Sequence, residues 1–247
     1  KALNDAMRRQ LVFRNASQVV SPPKATRKEL RPPDAYAISR FLSAAKDTEY
    51  YEAFHTSFYT GLRRGEVLAL RWGDVALDLA ALSVNRGVYR ARGGQRIFQA
   101  PKTVKGRRQV ALTPSSVLAL RGLKERQVTD GLLLGYAVND DTPVCRYRDG
   151  SPILPRGFSG AFKRVMLQAG MEGYRLHDAR HAHATLMLKQ GVHPKIVQER
   201  LGHAKVGTTL DIYSHVLPGL QEAAALRFDE GLKGIVMPRY EREAIPA

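Results

Sequence analysis

The sequence of 247 residues predicts an α+β domain that is mainly helical and carries a small three-stranded antiparallel sheet. Apolar residues recur at helical spacing in several segments, whereas three short runs are β-branched or alternate between apolar and polar residues. Turns that contain glycine separate these runs, so we expect them to pair as neighbouring strands. The three predicted strands cover residues 81–89, 96–100 and 108–112.

Helices are predicted on both sides of these strands. Asp34 is expected to cap the first helix, whose apolar side carries Ile38 and Phe41. Gly61 is expected to end the second helix. Residues 129–156 are rich in turn-forming residues, and no element is predicted there. The helices that follow the first one are predicted at residues 50–60, 66–70, 114–127, 157–169, 177–190, 194–201, 206–213 and 220–232.

Two segments precede this domain. Residues 1–20 place Leu3, Met7 and Leu11 at helical spacing, which predicts an amphipathic helix that cannot bury its apolar side alone. Residues 21–33 contain four prolines and mostly basic charges, which predicts an extended linker.

The charge of the chain favours a polyanionic partner. Its formal net charge is +16, which binding of a small anionic metabolite does not require, although a solvated basic surface is the simpler alternative. From residue 86 to residue 108 there are eight basic residues and no acid, so this hairpin is expected to face a phosphate backbone. With Arg64, the predicted DNA-binding residues are Arg86, Arg90, Arg92, Arg96, Lys105, Arg107 and Arg108.

Membrane binding is not expected, because no stretch approaches the roughly 20 apolar residues of a spanning helix. The single cysteine, Cys145, excludes an internal disulfide and fits a reducing compartment. The expected location is therefore the cytoplasm, in contact with DNA.

The stretch from residue 174 to residue 216 concentrates reactive side chains. His177 and Arg180 are three residues apart, so on a helix they share one face. Arginine presents a fork of donors to phosphate oxygens, and histidine exchanges protons near neutral pH. His203 and Tyr213 follow, and a tyrosine with a pKa of about 10 needs nearby cations in order to attack as a nucleophile. These residues predict a site that cleaves phosphodiesters.

Four segments resemble the tyrosine recombinase, or phage integrase, family, in the family's order. TGLRRGEVLALRWGDV (60–75) resembles its first arginine box, and PKTVKGRRQVAL (101–112) resembles the hairpin that carries its lysine. HDARHAHATLML (177–188) resembles its His-x-x-Arg box, and LGHAKVGTTLDIYSHV (201–216) resembles its nucleophile box. One such segment is weak evidence, whereas four in order are highly specific.

This resemblance implies a role for each matching residue. Arg63 and Arg180 bind non-bridging oxygens of the scissile phosphate, and His203 also donates to a non-bridging oxygen. His177 accepts or relays the proton of Tyr213, the nucleophile.

For the supporting residues, the resemblance leaves alternatives open. Lys102 gives a proton to the leaving 5′-oxygen, and Lys105, three residues on, is the alternative. Glu66 either holds the Arg63 guanidinium in one rotamer or forms an ordinary surface salt bridge. Because adjacent helix residues point about 100° apart, only one of Arg63 and Arg64 is expected to face the site.

The resemblance also implies the activity. Site-specific recombination would proceed through a 3′-phosphotyrosyl intermediate at Tyr213, without a cofactor or metal, in a tetramer on two DNA duplexes. Residues 1–20 would be the last helix of an N-terminal core DNA-binding domain, residues 34–232 the catalytic domain, and residues 233–247 a C-terminal tail.

Three other functions compete with this interpretation. A type IB topoisomerase-like enzyme would use the same covalent chemistry, and a DNA-binding module would have lost it. A zinc hydrolase could use His177, His181 and His203, but residue 178 is Asp rather than the glutamate of H-E-x-x-H, and nearby arginines would repel a dication.

Overall fold

Helices dominate the computed structural model, which describes residues 2–21, 32–90, 95–101, 106–203, 207, 209–210 and 220–233. Contacts divide the chain into two compact units, Lys1–Arg31 and Pro32–Ala247. The described helices are α1 (Ala2–Arg8), α2 (Ala35–Ala45), α3 (Tyr51–Thr60), α4 (Arg64–Val67), α5 (Pro114–Leu134), α6 (Pro155–Gln168), α7 (Leu176–Lys189), α8 (Pro194–Leu201) and α9 (Leu220–Leu232). The described strands are β1 (Val75–Ala76), β2 (Ala81–Val84), β3 (Gly87–Arg90), β4 (Arg96–Gln99) and β5 (Arg108–Ala111).

The predicted fold class is confirmed, but the strands are distributed differently. A three-stranded antiparallel sheet has the order β1-β2-β5, while β3 and β4 form a separate antiparallel pair. The run 81–89, predicted as one strand, is therefore two strands. The break has a local cause, because Asn85 Nδ2 and Arg86 Nη1 both bind the carboxylate of Asp74, at 2.9 and 2.5 Å. These contacts turn the chain out of the first sheet.

Five phenylalanines from α2, α3 and α6 form the centre of the core. Phe54 and Phe58 on α3, and Phe158 and Phe162 on α6, are spaced four residues apart, so each pair lies on one helix face. Phe41 of α2 packs edge-on against Phe54, with ring centroids 5.1 Å apart. This cluster fixes α3, whose C-terminal end reaches the candidate site.

The end of α3 meets α7 and α8. Ala179 and Ala182 of α7 are buried, and their small side chains allow close helix packing. Gly61 ends α3 with a φ of 66°, as predicted. A Cβ at Gly61 would lie 2.5 Å from Leu201 Cδ2 and 2.7 Å from His183 Cδ2, so no other residue fits there without displacing its neighbours.

Several predicted boundaries are confirmed and others are wrong. Asp34 caps α2 by accepting from the Ala37 amide at 2.8 Å, as predicted. Helix α1 ends at Arg8 rather than near residue 20, and Gln10 has a φ of 58°. Helix α5 continues to Leu134, seven residues past its predicted end at Gln127. The reason is that Gln127 is buried and bonds Trp72 Nε1, so a polar residue faces the core.

Two of the predicted elements cannot be compared with the structure. The linker falls largely on residues 22–31 and the helix 206–213 mostly on undescribed positions, so both lie outside the described residues. Among the helices that are described, none is long and apolar enough to cross a membrane.

Candidate active site

Arg63 and Glu66 form the first half of the site, at the start of α4. Glu66 Oε2 accepts from the Arg63 amide at 2.9 Å, and Glu66 Oε1 accepts from Arg63 Nη1 at 2.7 Å. The Glu66 side chain is only 7 % exposed, so the pair is not an ordinary surface salt bridge. Burial raises the Glu66 pKa, but hydrogen bonds and positive charge from Arg108 and Arg63 outweigh it, and the pKa lies below its usual value.

Arg180 provides a second guanidinium from α7. Its Nη1 donates to Gly61 O at 2.7 Å and its Nη2 to Leu201 O at 2.6 Å, so the buried side chain is fixed by two main-chain carbonyls. Burial, and then the charge of Arg63, lower the pKa of Arg180 to about 9, while the charge of Glu66 opposes the shift. Arg180 therefore remains charged at neutral pH.

Arg108 lies in the interior, although the basic run that contains it predicts a place on the open face of a DNA-binding hairpin. Its side chain is 6 % exposed, and its Nη2 donates to Glu66 Oε2 at 2.9 Å. Its Nε donates to Arg200 O at 2.7 Å. The alternation of β5 points this side chain toward α4 and α8, away from solvent. A direct phosphate contact by Arg108 is thus not supported by its position.

The other predicted DNA-binding residues lie in different environments. Arg86 is half-buried and bound to Asp74, whereas Arg107 is exposed. Arg64 is exposed, and its Nη1 donates to Ser159 Oγ at 2.8 Å. The side chains of Arg90, Arg92, Arg96 and Lys105, together with the catalytic candidates Lys102 and Tyr213, lie outside the described residues.

Two histidines adjoin the arginines. His203 follows α8, and its Nδ1 lies 2.9 Å from the hydroxyl of the buried Thr209. Burial, and then the charges of Arg180 and Arg63, lower the pKa of His203 to about 4. Burial also lowers the pKa of His177, with further contributions from His181 and Arg180. Both imidazoles are therefore neutral at neutral pH in the free protein.

A cleft of about 530 Å³ opens beside these groups. Arg63 and Arg64 both line it, contrary to the expectation that only one would face the site. Arg63 is the N-cap residue of α4 with an extended backbone (φ −68°, ψ 151°), so the 100° rotation between helix neighbours does not apply. The other polar or aromatic lining residues are Glu66, Tyr89, Ser159, Phe162, Lys163, Tyr174, Arg175, His177 and Arg180.

Sequence reasoning did not assign Lys163, Arg175 or Ser159 to this cleft. Arg175 precedes the His-x-x-Arg segment, so its proximity to that motif was a usable signal. Lys163 and Ser159 are on α6, which lies outside every motif, and the packing of α6 against α7 and β3 brings them to the cleft. In the part of the chain that the structure describes, no group of three His, Cys, Asp or Glu side chains could hold a metal ion.

Behind the site, His183 connects α7 to α8. Its Nδ1 donates to Phe58 O at 2.9 Å, since a carbonyl can only accept, and its Nε2 therefore accepts from Arg200 Nε at 3.0 Å. This fixes the neutral tautomer. Burial, then the charge of Arg200, lower the pKa of His183 to about 4.

Acid is expected to destabilise the fold through His183. Between pH 6.5 and about 4 the unfolded chain binds a proton that the folded chain does not, so the free energy of unfolding falls as pH falls. This one group contributes up to about 3 kcal/mol over that range. Urea unfolding measures the free energy of unfolding at about pH 7 and at about pH 4.5. Between these two pH values, His183→Asn should lose less of this free energy than the wild type. The exposed His193→Asn is the control, and an unchanged loss in His183→Asn would contradict the assignment.

Comparison with known proteins identifies the family of this chain. The family model described as "Phage integrase family" matches residues 29–219. The ICEBs1 integrase of Bacillus subtilis (strain 168) is 32 % identical over 232 residues, covering 93 % of this chain and 62 % of that protein. A XerC-like tyrosine recombinase of Caldanaerobacter subterraneus subsp. tengcongensis is 30 % identical over 192 residues, covering 73 % of this chain and 49 % of that protein. The chain thus spans about half to three fifths of the length of these relatives.

Solved structures share the fold. The Tn1549 transposon integrase, in complex with a circular intermediate DNA, superposes with a TM-score of 0.73 at 19 % identity, covering 92 % of this chain and 75 % of that one. The XerA recombinase gives a TM-score of 0.60 at 25 % identity, covering 89 % and 68 % of the two chains. With a family model that matches most of its length and relatives that agree with it in sequence and fold, this chain belongs to the phage integrase family of tyrosine recombinases.

Proposed function

We propose that this chain is a site-specific DNA recombinase that cleaves and rejoins strands through a 3′-phosphotyrosyl intermediate at Tyr213. One observation carries the proposal. Arg63 and Arg180 come from different elements, and both are fixed on consecutive carbonyls at the end of α8, beside a cleft rich in positive charge. Two preorganised guanidinium groups stabilise the extra negative charge that develops when the phosphorus becomes pentacoordinate in the transition state.

The first chemical step is an in-line attack. The Tyr213 oxygen bonds to phosphorus, and its proton passes to neutral His177, whose lowered pKa leaves it free to accept. The bond from phosphorus to the 5′-oxygen breaks, and Lys102 protonates that oxygen. Arg63, Arg180 and a neutral His203 donate to the non-bridging oxygens.

The second step reverses the first with a different strand. A 5′-hydroxyl from a partner duplex attacks the phosphotyrosine, a new phosphodiester forms, and the Tyr213 phenol is restored. The covalent link conserves the bond energy, so the reaction consumes no nucleotide. We further propose that exchange takes place in a tetramer on two duplexes in the cytoplasm. The DNA complex of the fold relative supports the DNA substrate.

Covalent capture tests this function without assuming a target sequence. The chain is incubated with randomised duplexes that carry one nick, so that a short 5′-hydroxyl fragment leaves and the intermediate accumulates. We expect protein-linked DNA that survives denaturation, with a blocked 3′ end and a free 5′ end, and sequencing would identify the site. Adducts on 5′ ends, or binding without any adduct, would contradict the proposal.

The topoisomerase-like alternative gives a different result in a second assay. A recombinase should join strands from two labelled duplexes that both carry the captured site. Relaxation of supercoiled plasmid without sequence preference and without strand exchange would instead identify a topoisomerase-like enzyme.

The cleft wall formed by Arg64, Lys163 and Arg175 is expected to bind phosphates that flank the scissile one. Each change to glutamine should weaken DNA binding. It should also make the plot of log K against log salt concentration less steep by about 0.9, because DNA binding then releases one counterion fewer. Fluorescence anisotropy at several salt concentrations measures both. Lys124→Gln on α5, whose ammonium lies over Trp72, is the matched control. Equal slopes in all variants would show that this wall does not contact DNA.

A further inference from the structure

The last carbonyls of α8 bind three arginines that come from three different elements. The three carbonyls belong to consecutive residues, and each accepts a hydrogen bond from one guanidinium. The bonds are Arg108 Nε to Arg200 O at 2.7 Å, Arg180 Nη2 to Leu201 O at 2.6 Å, and Arg63 Nη2 to Gly202 O at 3.2 Å.

This arrangement follows from helix chemistry. The final carbonyls of a helix have no partner within the helix and carry partial negative charge, so cations bind there favourably. Gly202, with a φ of 65°, turns the chain and ends α8 at this point. The carbonyls thus serve as a row of acceptors that sets the spacing of the guanidinium groups.

Arg108 differs from the other two arginines in where its remaining nitrogens point. Arg63 and Arg180 line the cleft, whereas Arg108 does not and is 6 % exposed. Both of its terminal nitrogens donate to Glu66, at 2.9 and 3.3 Å. The same carboxylate accepts from the Arg63 side chain and amide. Its Nη1 also donates to Gly106 O at 3.1 Å, and among the described residues Glu66 is the side chain that connects Arg108 to Arg63.

We propose that Arg108 is a positioning residue for the reaction. By holding Glu66 on one side and the end of α8 on the other, it fixes the Arg63 guanidinium at the distance from Arg180 that one phosphate requires. This inference rests on the proposed function. Without Arg108, the buried Glu66 carboxylate would keep Arg63 as its remaining cationic partner among the described residues and would draw it away from the substrate.

The expected effect is on the rate constant rather than on DNA binding. Loss of a residue that orients a metal ligand typically lowers affinity or activity about 10- to 100-fold, and we expect the same scale for a residue that orients a catalytic arginine. Arg108→Gln should therefore slow single-turnover adduct formation by that factor on the captured site. Its dissociation constant for the same DNA should stay within about threefold of the wild type, since Arg108 makes no contact with DNA in this proposal.

A methylphosphonate at the scissile position separates positioning from general destabilisation. Replacing one non-bridging oxygen with a methyl group removes the negative charge that Arg63 and Arg180 neutralise. The rate difference between wild type and Arg108→Gln should then shrink to less than about threefold, and Arg63→Ala should show the same pattern. Arg108→Lys keeps the charge but not the fork, and we expect an intermediate rate on the phosphodiester.

Arg146→Gln is the matched control, because Arg146 is also buried but its guanidinium lies over the Tyr136 ring, 4.3 Å from the centroid. It should lose stability and keep the wild-type preference between the two substrates. A variant of Arg108 that slows both substrates equally, or only reduces the active fraction, would overturn the positioning role. A wild-type chain that forms no adduct would overturn the proposed function as well, so the two failures are distinguishable.

Discussion

Tyr213→Phe is expected to abolish the covalent protein–DNA adduct completely. Phenylalanine lacks the oxygen that bonds to phosphorus, and no other change in the side chain is made. DNA binding should stay within about threefold of the wild type, because one hydroxyl contributes little to an interface dominated by phosphate contacts. Denaturing gels of the captured substrate measure the adduct, and anisotropy measures binding.

Two other tyrosines provide matched controls for this result. Among the described residues, Tyr89 and Tyr174 are the tyrosines that line the cleft. Tyr89→Phe and Tyr174→Phe should still form the adduct. Retention of the adduct in Tyr213→Phe, with its loss in either control, would assign the nucleophile to that other tyrosine.

Arg63→Ala is expected to slow cleavage by about 100- to 1,000-fold, which corresponds to about 3–4 kcal/mol of transition-state stabilisation. The Arg63 side chain is 41 % exposed, so its removal should not unfold the chain. The same change at Arg180 would be harder to interpret, because that buried guanidinium also joins Gly61 to Leu201. Single-turnover rates on the captured site give the comparison.

The neighbouring Arg64→Ala serves as the control for charge. It removes the same charge from the same cleft, but its guanidinium bonds Ser159 rather than the end of α8. We expect it to slow cleavage less than about tenfold at saturating DNA. Equal losses in the two variants would mean that total charge, rather than the placement of Arg63, determines the rate.

Local sequence signals predicted much of the fold. Asp34 and Gly61 mark helix boundaries because their roles depend only on adjacent backbone, and Ile38 and Phe41 of α2 are buried as their spacing predicted. The motifs also predicted one shared site for residues that lie far apart in the sequence. The structure brings together four of them, Arg63, His177, Arg180 and His203.

The remaining features depend on contacts that no local pattern encodes. The inward direction of Arg108 is set by Glu66 and Arg200, 42 and 92 residues away, so a run of basic residues looked uniformly exposed. Lys163 enters the cleft only through the packing of α6. The division of the strands depended on Asp74, which binds the chain at two residues between β2 and β3.

The outward-facing side of α8 can accept substitutions that leave the carbonyls at its end in place. The bonds of α8 to the three arginines come from main-chain carbonyls, which every amino acid possesses. The outward side chains Lys195, Ile196 and Glu199 are exposed and take no part in those bonds. That outer face is therefore open to neutral drift during evolution, and to the attachment of a dye, while the reactive side of the helix keeps its shape.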